Sequence, residues 1–169
     1  PELVQLNPKS AKPTSPHWVM EGDYLQVGIQ GPPNEKPYCK IPGITGWVQL
    51  DESKPGHYKS NIHLRGIDEE IVTSVVYRSN LFSKKIRSAE LRFLLDRKGG
   101  LTVDEDTRVY DAANTDQLLF PLADSVSLQI IGLENKMYKI ELSDQRTAYV
   151  RADRVILNSD YRLDSPHYL

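Results

Sequence analysis

The side chains that could carry chemistry in this chain of 169 residues are few and poorly grouped. A single cysteine, Cys39, stands in PYCKIP, and His57 and His63 follow it, so a Cys/His nucleophile pair has to be weighed. A nucleophilic thiolate needs a helix N-terminus or a cationic neighbour to lower its pKa. Pro37 and Pro42 instead hold Cys39 in a short extended segment, where a half-buried strand thiol is expected. His17, His57, His63 and His167 show no HxxxH or HxH spacing that would aim two imidazoles at one metal, and one cysteine makes neither a CxxC site nor an internal disulfide. The carboxylates of GIDEEI and VDEDTR lack the alternating ligands and central glycine of a calcium loop. Gly99-Gly100 leads into a strand pattern rather than a helix, which removes the usual phosphate cradle. The residues predict no catalytic group, no metal and no cofactor.

One basic concentration is present: Arg78, Lys84, Lys85, Arg87, Arg92, Arg97 and Lys98. Only Tyr77, Phe82 and Phe93 lie near it, so it reads as a solvated strand face rather than a nucleic-acid platform. The net charge of −2 provides no overall field to gather polyanions. The halves nevertheless differ: residues 99–169 hold 12 Asp/Glu against 7 Lys/Arg, a balance of −5, leaving +3 for residues 1–98.

The elements that must position these residues are predicted to be strands. Eleven Pro, ten Gly and nine Tyr interrupt nearly every apolar run, and 39% hydrophobic residues suffice for a core. No apolar run approaches the length of a membrane-spanning helix. Residues 1–16, with Pro8, Pro13 and Pro16 among Lys, Ser and Thr, read as a flexible tether. Because the chain starts at Pro1, a cleaved signal peptide or an upstream lipid anchor is compatible with it. From His17 the period becomes two, with Leu25, Val27 and Ile29 alternating until Gly31-Pro32-Pro33. Further strands are expected over Tyr38–Ile41, Gly46–Leu50, Tyr58–Leu64, Ile71–Tyr77 and Ala89–Leu95, although SAELRFLLDR also suits a helix capped by Ser88. Residues 17–98 are therefore expected to form a β-sandwich or small barrel, ended by Lys98-Gly99-Gly100.

Beyond that punctuation come TRVY, LLFPL, SVSLQII, NKMYKIEL and RTAYVR, five short strands with Val126, Leu128 and Ile130, then Tyr138, Ile140 and Leu142, alternating. Ser143-Asp144-Gln145 is short enough to close a hairpin. Such a small unit can remove its exposed edges by closing into a barrel.

The order TRVYDAAN, a divergent loop from Asp116 to Leu122, SVSLQIIGLENKMYKIEL and RTAYVRADRVIL resembles the bacterial Src-homology-3-like domains over about residues 102–157. RVYDAA resembles the Tyr-Asp segment that opens those barrels, and AYVRADRV their closing Gly-Tyr-Val stretch with its short helical turn. The proline-recognising members place a Trp at the position of Met137, and a Pro and a Tyr where Arg151 and Arg154 stand, so this chain departs from the aromatic groove that grips polyproline.

Joined to the strand pattern read over residues 17–98, the resemblance implies a mainly β protein: an N-terminal β domain over 17–98, a Src-homology-3-like barrel over 99–157 and a tail over 158–169. It implies a non-enzymatic protein-interaction or scaffolding component of a bacterial cell-envelope assembly in the periplasm, with peptidoglycan targeting as the alternative and a cysteine-peptidase fragment as a third reading. The implied partner is a protein or peptidoglycan and not nucleic acid. The implied docking residues are Tyr110, Met137, Tyr149 and Arg151. Strand parity puts Met137, Lys139 and Glu141 on one face, and Tyr138, Ile140 and Leu142 on the core side.

Overall fold

The computed structural model describes residues 5–80, 82–103, 107–112, 118–142 and 146–158. It is mainly β, with two short 3-10 turns and no α-helix among the described residues. The contact pattern divides the chain into two units, Pro1–Leu95 and Asp96–Leu169.

The first unit opens with a 3-10 turn at Pro8–Ser10 and continues through β1 (His17–Met20), β2 (Tyr24–Gln30), β3 (Tyr38–Lys40), β4 (Val48–Gln49), β5 (Asp51–Lys54), β6 (His57–His63), β7 (Ile71–Arg78) and β8 (Ile86–Leu94). Its strands form two ladders, β1-β8-β7-β3-β4 and β2-β6-β5. Only β1 and β8 run parallel. The alternation of β2 has a direct consequence: Leu25, Val27 and Ile29 are buried while Tyr24, Gln26 and Gln30 face out. With Tyr58 and Ile62 of β6 they share one core with Val19, Cys39, Val75, Tyr77, Leu91 and Phe93 of the other ladder.

Residues 5–16 are not a tether. Leu6 and Ala11 are 4% and 3% exposed, and the segment runs along the open edge of β2. Asn7 N–H donates to Gln30 O, Lys12 N–H donates to Gly28 O, and the Ser10 hydroxyl accepts from Gln30 N–H. Tyr77 completes the edge, its hydroxyl accepting from Gly28 N–H at 2.9 Å and donating to Lys12 O. An edge strand exposes unpaired N–H and C=O groups, and this segment satisfies them. The helical alternative for SAELRFLLDR also fails. Residues 88–94 of it lie in β8, and Ser88 caps no helix; its hydroxyl accepts Val75 N–H at 2.9 Å, where the β7 ladder shifts register between Ser74 and Val76.

The second unit contains β9 (Lys98–Thr102), β10 (Thr107–Tyr110), β11 (Leu118–Leu122), β12 (Ser127–Glu134), β13 (Met137–Glu141), β14 (Thr147–Arg151), a 3-10 turn at Ala152–Arg154 and β15 (Val155–Leu157). The ladder order is β11-β10-β14-β13-β12-β9-β15, antiparallel throughout. The expected closed barrel is not formed. Both edges of β10 are taken, by β11 and β14, so β15 turns back onto β9 and the ladder stays open. Lys98-Gly99-Gly100, expected as a boundary, lies inside β9 because Gly100 allows two strands to crowd it. A Cβ there would sit 2.8 Å from both Ile130 Cδ1 and Val155 Cγ1. Val109, Leu128, Ile130, Ile140, Ala148 and Val150 supply the core. Thr102 ties down the approach to β12, its buried hydroxyl donating to Ala123 O at 2.7 Å and accepting Val126 N–H at 2.8 Å. Asp116, Ser143-Asp144-Gln145, and the tail beyond Asn158 lie outside the described residues.

Candidate functional site

In an antiparallel ladder, residues directly opposite one another project from the same face. In the second unit Tyr110 of β10 pairs with Tyr149 of β14, and Tyr149 pairs with Lys139 of β13. All three are half-buried, and they form one row across three adjacent strands. Their chain neighbours Val109, Tyr138 and Val150 form the opposing row, all buried, so the row of tyrosines lies on the face away from the core. Arg151 continues that face and is exposed, its guanidinium paired with Asp153 at 2.7 Å. Arg97 and Glu141 add a two-pronged ion pair, Nε to Oε2 at 2.6 Å and Nη2 to Oε1 at 3.1 Å.

Met137 does not join the open surface. It is in register with Arg151 on one side and Glu134 on the other, in the central strand of its hairpin, and retains only 9% exposure. Ile140 and Val150 are 1% and 0% exposed, whereas Leu142 falls just past β13 and is only partly buried. Lys139 belongs with the tyrosines, which chain parity indicated but the β13–β14 register fixes. Sequence reasoning passed over the apolar side chains left on the outermost strands: Leu119 and Phe120 on β11 and Ile156 on β15 are 44%, 37% and 40% exposed. Pro121, which has no N–H to donate, sits in the β11 edge.

Cys39 is wholly buried in the first unit, and burial pushes its thiol up to about 11, so it is protonated at neutral pH. His63 stacks on Tyr24 with ring centres 4.3 Å apart, and its Nδ1 accepts from Arg65 Nε–H at 2.9 Å. Among the described residues no three His, Cys, Asp or Glu side chains converge on a point. No helix among them is long and apolar enough to cross a membrane. Glu52 is structural, since its carboxylate accepts the N–H groups of Gly56 and Asn34, which hold its pKa below the ordinary range. Those residues adopt left-handed φ values of +77° and +63°, so the bonds brace two tight turns. Compared with known proteins, the chain matches no family model and no curated relative.

Proposed function

We propose that the second unit is a Src-homology-3-like interaction module that holds an extended segment of a protein partner, as a non-catalytic component of a bacterial cell-envelope assembly. The observation that carries this reading is the row Tyr110–Tyr149–Lys139 on the coreless face of the sheet. At about 4.8 Å between strands the row spans about 10 Å, the length of three extended residues of a bound chain. Two half-buried tyrosines supply flat apolar area with hydroxyls at the rim, and Lys139 adds a cation beside them. Further support comes from the meander β12-β13-β14, the 3-10 turn at Ala152–Arg154 and the return of β15 to β9, an order in keeping with the resemblance.

The groove differs from a proline-recognising one. Met137 is nearly covered, and Arg151 and Arg154 stand where that class carries a Pro and a Tyr. A ligand with acidic and aromatic side chains suits tyrosines flanked by Lys139 and Arg151 better than a proline-rich one. Selection of random linear peptides on the full chain, with purified peptidoglycan sacculi offered in parallel, tests this. Enrichment of acidic, aromatic peptides whose binding fails in Tyr149→Ala supports the reading. Retention on sacculi with no peptide enrichment replaces it with the wall-targeting alternative.

A further inference from the structure

We infer that the loop between β7 and β8, residues 79–85, docks the first unit onto an anionic lipid bilayer. Residues 78–87 read RSNLFSKKIR, with four cations and no carboxylate. Phe82 is 97% exposed at this loop, the most exposed large apolar side chain described. A fully solvated phenylalanine stabilises nothing in its own unit, and burial elsewhere would remove that apolar area from water.

The loop is shaped to present this side chain. The Ser83 hydroxyl accepts the N–H groups of Ser79 and Asn80, both at 3.0 Å, and donates to Asn80 O at 2.9 Å. Asn80 Oδ1 accepts Phe82 N–H at 2.9 Å. Beside it a cavity of about 350 Å³ is lined by Ser79, Ser83, Lys84, Lys85 and Arg87 together with Leu6 of the edge segment. Lys84, Lys85 and Arg87 are exposed, and none has an ion-pair partner among the described residues. Three uncompensated cations and the Ser79 hydroxyl around a cleft of that size suit a phosphate headgroup, with Phe82 entering the interface next to it.

The neighbouring aromatics decide between a bilayer and a nucleic acid. Tyr77 and Phe93 are both 0% exposed, so Phe82 stands alone and no stacking platform for successive bases accompanies the cations. One apolar anchor combined with a basic rim is the two-signal arrangement that a membrane surface requires.

The test is co-sedimentation of the full chain with phosphatidylcholine vesicles, with and without phosphatidylglycerol. The protein should pellet with the phosphatidylglycerol vesicles only, and added salt should release it. Lys84→Gln and Lys85→Gln should each weaken binding roughly fivefold. Phe82→Ser should weaken it roughly tenfold or more, with all melts unchanged because these side chains are exposed. Failure to pellet with phosphatidylglycerol vesicles, or a Phe82→Ser protein that binds as well as the parent, overturns the inference. So does full release by inorganic phosphate at an ionic strength where sodium chloride leaves the protein bound, which would make the cavity a free-anion site. Binding of a single-stranded oligonucleotide that the same substitutions abolish, without vesicle binding, would assign the loop to nucleic acid instead.

Discussion

Replacing Tyr77 with Phe isolates the contact that fixes the N-terminal segment to the first unit. The ring is wholly buried and retains its volume in the variant, so no cavity opens; only the hydroxyl is lost. That hydroxyl accepts Gly28 N–H and donates to Lys12 O, with burial holding its pKa well above the ordinary tyrosine value. Lys12 is exposed, and its carbonyl can turn to water. Gly28 is buried, and its N–H loses its acceptor. A buried donor left unsatisfied costs about 1–3 kcal/mol, so the urea midpoint should fall by that amount divided by the m-value. Amide exchange at Gly28 and Lys12 should accelerate together, since the two N–H groups belong to the same edge ladder. An unchanged midpoint, or faster exchange at Gly28 with Lys12 unaffected, would refute the assignment of residues 5–16 to the β2 edge.

Three further outcomes follow from the same structure. Ile140→Ala should cost about 2–5 kcal/mol in a denaturant titration, because its side chain is 1% exposed, whereas Tyr149→Ala on the opposite face should cost about 1 kcal/mol or less. Cys39 should resist thiol reagents at neutral pH. Its thiol is pushed from 9.0 up to about 11 by burial, so the unfolded chain ionises first and stability falls as pH rises through that window, a loss that Cys39→Val should remove. Glu52 behaves oppositely: its pKa is lowered by the N–H groups of Gly56 and Asn34, so the bracing is present above the ordinary glutamate range. As pH falls through the lowered value, the protection of the Gly56 and Asn34 amides relative to their intrinsic exchange rates should fall, and Glu52→Gln should remove that pH dependence.

The alternation of Leu25, Val27 and Ile29, and of Tyr138 and Ile140, was legible because each set packs on one face of its own strand. Strands whose reason lies elsewhere were not. β5 reads Asp-Glu-Ser-Lys, fully exposed, with no apolar period, and it exists because β6 offers it a ladder. β9 was hidden by its glycines: Gly100 answers to Ile130 and Val155, and Gly99 to Asn158, rather than to a turn. Leu6 and Ala11 are too sparse among prolines and polar residues to signal packing, since the edge they cover lies in β2. At the candidate site, parity separated Lys139 from Tyr138 and Ile140. The alignment of Tyr110 with Tyr149, about forty residues apart, depends on the β10–β14 ladder and has no local signal. Parity also misjudged Met137, because a strand pattern specifies a face and not whether neighbours cover it.

The interaction reading is tested most sharply by a two-dimensional amide NMR titration of the full chain with a peptide enriched in the selection. Shifts should be confined to β10, β13 and β14, centred on Tyr110, Tyr149 and Lys139, and a Tyr110→Ala/Tyr149→Ala variant that still melts normally should bind at least tenfold more weakly. Shifts centred on the first unit or on the β11 and β15 edges, or a double variant that binds like the parent, would contradict it.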